Sequence, residues 1–135
     1  MKVGRTRKSV RLLARYLAVS PSQRRGAQAE DLACAYLERR GLKIVERNVR
    51  FRYGEIDAVA RDGEELVFVE VRQRARGPDA AASINPAKRG KIRRAAQIYL
   101  CVRYPDRWPS CRFDVVLVEG DRIEWLQSAF AELEE

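Results

Sequence analysis

Apolar residues recur at two different periods along the chain, and the switches between those periods divide it into elements. From Gly26 to Arg40 the residues Ala29, Leu32, Ala33, Tyr36 and Leu37 fall on one helical stripe, and Gly41 after two arginines marks the stop. Leu42 to Phe51 alternates loosely, with Leu42, Ile44, Val49 and Phe51 apolar, and reads as a strand bent at Glu46-Arg47-Asn48. Beyond Gly54, Glu55 to Arg61 forms a second strand and Glu65 to Gln73 a third. The Asp62-Gly63 dipeptide between them is a tight-turn signal, so these two strands pair antiparallel. On the third strand Val67, Val69 and Val71 share one face, while Leu66, Phe68, Glu70 and Arg72 share the other. Both faces are mainly apolar, which predicts a central strand covered on each side.

A loop over 74–85 follows, with Gly77 and Pro78, and Asn85 is placed to cap a second helix running from Pro86 to Val102. Its stripe is Ile92, Ala95, Ala96, Tyr99 and Leu100; its bases Lys88, Arg89, Lys91, Arg93 and Arg94 crowd the first turns. Cys111 to Glu119 is a fourth strand, Gly120-Asp121 a tight turn, and Arg122 to Gln127 a fifth strand. The order α-β-β-β-α-β-β, without internal repeat, predicts an α/β fold in which helices flank a mixed sheet.

Length and charge refine this picture. A chain of 135 residues supplies one sizeable core, and no apolar run nears the roughly 18 residues of a membrane span, so a globular protein in water with no membrane partner is expected. The organisation reads as a basic arm over 1–25, a domain over 26–128 and an acidic tail over 129–135. The whole net charge of +8 belongs to the arm, which holds eight of the 27 bases and no acid; the other 19 bases match the 19 acids. The arm fits a solubilising tail, a nucleic-acid-binding arm or a transit peptide, but Arg11 and Arg15 interrupt its apolar residues and exclude a secretory signal. Three cysteines, Cys34, Cys101 and Cys111, are an odd number without a two-residue spacing, which predicts reduced thiols and a cytoplasmic setting. The absence of histidine removes Ser-His-Asp triads, imidazole acid–base chemistry and most catalytic zinc sites. Chemistry on this chain rests on carboxylates, Lys, Arg, Tyr and a hard metal ion.

The candidate site lies in GEIDAVARDGEELVFVEVRQR, residues 54–74. Glu70 and Arg72 project from one face of a strand, about 6.6 to 6.8 Å apart along it. Asp57 sits on the strand paired with it, flanked by apolar Ile56 and Ala58. Two carboxylates on adjacent strands, with the Val71 carbonyl between Glu70 and Arg72, supply the oxygen ligands that Mg²⁺ or Mn²⁺ prefers. An ion-pair cluster that only neutralises itself meets the same spacing.

GEIDAVARDGEELVFVEVR resembles the (P)D…(D/E)-x-K core of the restriction-endonuclease-like superfamily, whose fold is shared with Holliday-junction resolvases. More narrowly, GAQAEDLACAYLERRGLKIVERN, GEID, FVEVR, KRGKIRRAAQIYL and RFDVV, in that order over about residues 24 to 127, resemble the YraN-type family of small endonuclease-like proteins. The resemblance implies Asp57 and Glu70 as metal ligands, Glu30 on the first helix as an auxiliary acidic ligand, and the position of Arg72 as the catalytic lysine. It implies Mg²⁺ or Mn²⁺ as cofactor and phosphodiester cleavage in DNA, branched DNA included. Two departures stand out: Ala29 replaces the family's glycine before the helical glutamate, and Arg72 replaces the lysine. Arginine keeps its proton where a buried lysine can release one, so a binding protein without cleavage is the alternative. A protein-interaction module with a structural charge cluster is a third reading. Lys88, Lys91, Arg93 and Arg94 are the candidate nucleic-acid contacts, with Lys88 or Lys91 able to replace the missing lysine in space. Asp114 in RFDVV reads as structural, paired with Arg112. The oligomeric state is left open, a homodimer among the options.

Overall fold

The computed structural model describes residues 21–52, 54–73 and 86–130. The readings for residues 1–20, for the 74–85 loop with its cap Asn85, and for the tail beyond Phe130 lie outside the described residues. Helix α1 spans Pro21–Arg39, followed by β1 (Lys43–Phe51), β2 (Gly54–Asp62), β3 (Glu65–Gln73), helix α2 (Pro86–Arg103), β4 (Cys111–Glu119) and β5 (Arg122–Phe130). This is the α-β-β-β-α-β-β order read from the sequence. The five strands form one sheet in the order β1-β2-β3-β4-β5, with β3 at the centre. All neighbours are antiparallel except β3 and β4, which run parallel because α2 carries the chain back to the other end of the sheet.

The helices lie on opposite faces. On one, Ile92, Ala95, Ala96, Tyr99 and Leu100 of α2 pack on Leu66, Phe68, Phe113, Val115 and Phe130, with Phe68 edge-on to Tyr99 at 5.9 Å. On the other, Ala29, Ala33, Cys34 and Leu37 of α1 pack on Ala58, Ala60, Val67, Val69, Val116 and Val118. The alternation on β3 therefore sorts as expected, even residues under α2 and odd residues under α1. The stripe on α1 is narrower than the periodicity implies: Ala29, Ala33 and Leu37, four residues apart, bring the helix close to the sheet, and Leu32 is left exposed. α1 ends in a Schellman motif, with Leu42 N donating to Leu37 O at 3.0 Å, Gly41 N to Glu38 O at 3.0 Å, and Gly41 at a φ of 97°.

The β2–β3 hairpin forms, one residue out of step with its signal. Asp62 pairs with Glu65, so the loop is Gly63-Glu64, and Gly63 takes the positive φ needed at the first central position. β5 also runs past Gln127. A register irregularity opposite Phe113 and Val115, with Ser128 at a φ of 50°, absorbs the break in alternation and returns Phe130 to the core, stacked on Phe113 at 4.8 Å.

Arg112 and Asp114 close the hairpin end of the sheet. Asp114 is fully buried and accepts both oxygens' worth of hydrogen bonds: from Arg112 Nε at 3.0 and 3.1 Å, from Trp125 Nε1 at 2.9 Å and from Ser128 N at 2.9 Å. Arg112 also reaches Glu65 at 2.7 Å and Asp62 at 3.0 Å. Asp114 is thus structural, as its sequence context predicts. Replacing it with Ala strands a buried guanidinium, an indole N–H and a backbone N–H; Asp114→Ala is expected to lose about 3 to 5 kcal/mol in urea denaturation. A loss below about 1 kcal/mol would show that the cluster does not hold the hairpin end.

Candidate functional site at a fork in the sheet

The sheet opens at the end opposite Arg112. The pairing of β2 with β3 reaches back only to Ala58↔Val69, whereas β2 stays paired with β1 as far as Gly54 and β3 stays paired with β4 as far as Gln73. The first residues of β2 and the last of β3 therefore part, and Asp57 and Glu70 stand where they do. Side-chain alternation breaks at the same place. Ile56 packs under α2 and Ala58 under α1, two residues apart, so Asp57 between them is aimed into the gap rather than at either face. Facing it on β1, Asn48 adopts a φ of 52° between the pairs Arg47↔Ala58 and Val49↔Ile56. This is the bend expected at Glu46-Arg47-Asn48.

Parting the strands leaves the β2-facing edge of β3 without its ladder, and the Asp57 side chain takes over: Oδ2 accepts the Val71 N–H at 2.8 Å. In an extended strand the N–H and C=O of one residue point to the same edge, so the Val71 carbonyl also faces the fork. The same placement presses Asp57 against Glu70, which is 5% exposed. Burial first, and then the Glu70 carboxylate and its contact with Asp57, push the Asp57 carboxyl well above its ordinary 3.8. The Val71 N–H opposes this shift only in part.

Two bases complete the cluster from the α2 side. Lys88 Nζ lies 3.0 Å from Glu70 Oε2, and Arg72 reaches the same oxygen at 4.0 Å. Gly54 sets the position of α2 over the fork. A Cβ there would collide with the Lys91 carbonyl oxygen and stand 3.1 Å from its carbon, so only glycine lets the helix backbone lie on the start of β2. Lys91 and Arg94 are exposed, and Arg93 lies half-buried with its guanidinium 5.6 Å from the Phe130 ring.

Glu30 approaches from α1, on the other face. Arg47 is 3.8 Å from it and 2.7 Å from Asp31, and the Asn48 side chain hydrogen-bonds to Glu30. Burial raises the Glu30 carboxyl, and its charge in turn reaches Asp57. Among the described residues, however, no three His, Cys, Asp or Glu side chains converge tightly enough to form a metal cluster. The structure thus brings Asp57, Glu70, Val71, Arg72 and Lys88 together, and leaves Glu30 near them but tied to Arg47 and Asn48. Sequence reasoning missed Asn48 and Gly54 as site-shaping residues; the only signal was the interrupted alternation before one and the position of the other at the start of GEID.

The donor set fits a hard divalent cation. Mg²⁺ commonly takes one or two carboxylates and keeps several waters, and the Asp57–Glu70 repulsion is the conflict such a charge relieves. Asp57, Glu70 and the Val71 carbonyl would hold it.

The fold and site define a small α/β protein with an acidic pair in a forked mixed sheet. The family model described as "Uncharacterised protein family UPF0102" matches residues 29–118, and the chain belongs to that family. It is 54% identical over 109 residues to a UPF0102 protein of Dechloromonas aromatica (strain RCB), covering 79% of this chain and 88% of the relative. It is 59% identical over 112 residues to one of Cupriavidus taiwanensis (80% and 83%), and 46% identical over 117 residues to one of Nitrosomonas eutropha (84% and 99%). The YraN-type resemblance is thereby confirmed at the level of this family. No helix among the described residues is long and apolar enough to cross a membrane.

Two outcomes follow from this geometry. Because the folded state holds the Asp57 proton more tightly than the unfolded chain, stability contributed by this site falls as pH rises from the ordinary 3.8 toward the raised value. Asparagine can accept from Val71 and donate to Glu70 without charge. Asp57→Asn should therefore raise the melting temperature at pH 7.5 by about 2 to 6 °C, with the gain vanishing below about pH 4; a drop in melting temperature at neutral pH contradicts the assigned conflict. Gly54→Ala should lower stability by about 1 to 3 kcal/mol as α2 is displaced, whereas Gly90→Ala on the same helix, where an added Cβ meets nothing within 4 Å, should be neutral or stabilising. Equal effects of the two would remove the helix–strand contact as the cause.

Proposed function

We propose that this protein is a divalent-metal-dependent nuclease of the restriction-endonuclease-like type, hydrolysing phosphodiester bonds in DNA, with branched DNA among its substrates. The observation that carries the proposal is the pair Asp57 and Glu70, held carboxyl to carboxyl at the sheet fork beside Lys88 and Arg72. A purely structural cluster is built differently in this same molecule: Arg112 stands among Asp62, Glu65 and Asp114 and bonds to each. At the fork, the groups acting on Asp57 are burial, two acids and one amide. A buried carboxyl perturbed in this way supports reading the fork as the functional site.

Bound there, Mg²⁺ or Mn²⁺ would polarise the phosphate and acidify a bound water. The chain's own residues do the rest. Asp57 and Glu70 bring two carboxyl groups to one point, and the Arg72 guanidinium grips a phosphate oxygen pair. The basic face of α2, with Lys91, Arg93 and Arg94, continues the phosphate-binding surface away from the fork. The second reading, a nucleic-acid-binding protein without cleavage, draws on one observation, the arginine at position 72 where the motif carries lysine.

The test is incubation of purified protein with labelled single-stranded, duplex, flap and four-way-junction DNA in Mn²⁺, Mg²⁺ or EDTA. Metal-dependent cleavage is expected, falling at least about 100-fold in Glu70→Ala while DNA affinity in EDTA is retained. Salt-sensitive binding with no cleavage of any substrate in either metal would replace the nuclease with the binding protein. Weak affinity without a salt slope would reject both and leave a structural cluster in an interaction module.

A further inference from the structure

Resting on the nuclease reading, we propose that Lys88 on α2 supplies the ammonium that the motif elsewhere takes from the strand, and that it is the catalytic residue contacting the scissile phosphate, with Arg72 holding a neighbouring one. The geometry separates the two bases. Lys88 Nζ is 3.0 Å from Glu70 Oε2, within hydrogen-bond reach, whereas Arg72 approaches that oxygen only to 4.0 Å. The Lys88 side chain is 40% exposed while that of Glu70 is 5% exposed, so the ammonium bridges the floor of the fork and the solvent from which a phosphate arrives.

Chemistry separates them as well. An ammonium is a compact charge with three rotatable donors and can keep Glu70 while turning another proton toward a phosphate oxygen. A guanidinium is a flat, broad fork suited to gripping one phosphate by two oxygens. Placement of Lys88 is fixed rather than incidental, because it stands one helical turn before Lys91, whose carbonyl rests on Gly54 at the start of β2. The glycine that opens GEID and the lysine of α2 thus belong to one device: the close approach at the first delivers the second to Glu70.

Hydrolysis adds one water across the ester. The water oxygen bonds to phosphorus, one P–O ester bond breaks, one proton of the water leaves to solvent, and the departing oxygen takes one up. Lys88 donates to a non-bridging oxygen as negative charge accumulates there.

The experiment measures single-turnover cleavage in Mn²⁺ and, separately, DNA affinity in EDTA, for the parent, Lys88→Ala, Lys88→Met, Arg72→Ala and the double variant Lys88→Ala/Arg72→Lys. Lys88→Met retains the aliphatic stem and, with melting curves, distinguishes lost chemistry from lost folding. Lys88→Ala and Lys88→Met are expected to slow cleavage by about 100-fold or more, with less than about a tenfold loss of affinity. Arg72→Ala should show the converse, affinity falling more than rate. The double variant, which returns an ammonium to β3, should regain at least about tenfold of the lost rate. Cleavage by Lys88→Ala near the parent rate, or rate and affinity falling by the same factor, overturns the assignment while the nuclease stands. A parent that cleaves nothing in either metal removes the nuclease itself, and the role of Lys88 with it.

Discussion

The parting of β2 from β3 is the constraint on which the rest of the site depends. A sheet can fork only if the backbone groups exposed in the gap find other partners, since an orphaned buried N–H costs about 1 to 3 kcal/mol. Here the Asp57 carboxyl accepts the Val71 N–H at 2.8 Å, so a side chain does what the missing strand would have done. The solution has a consequence. It draws one carboxyl into contact with another, that of Glu70, inside a protein that offers both little water.

The two ends of β3 illustrate how similar residues reach opposite states. At the hairpin end a single guanidinium is shared by three acids, and the fully buried Asp114 has two further N–H donors. At the fork the bases come to Glu70 from one side, and Asp57 is left against its carboxylate. Buried charge that is fully paired and hydrogen-bonded locks a structure, while a buried carboxyl set against another has its pKa raised.

Helix α2 joins stability to chemistry. Its apolar stripe from Ile92 to Leu100 builds the core around Phe68, and Lys88, one turn before Ile92, extends that side of the helix to Glu70. One contact, the Lys91 carbonyl on Gly54, sets where both fall. A displaced helix therefore loosens the core and withdraws Lys88 from Glu70 together.

Much of this was legible in the residues. The period-two pattern of ELVFVEVRQ, the stripe of α2, the glycine turn before β3 and the role of Asp114 all rest on local geometry, and local geometry is what a sequence encodes directly. The path of α1 over small alanines, which strands Leu32 in solvent, and the continuation of β5 to Phe130 were not legible, because each is set by what packs opposite. The fork is the sharpest case. The sequence alone determined that Asp57 and Glu70 lie on neighbouring strands and that Arg72 shares a face with Glu70. Only the tertiary structure decided that the strands separate at that point, that Asp57 turns between the faces to cap Val71, that Glu30 stays with Arg47 on the far side, and that Lys88 arrives from another element. Ladder length and helix docking depend on contacts between segments distant in the chain, and no spacing within one segment records them.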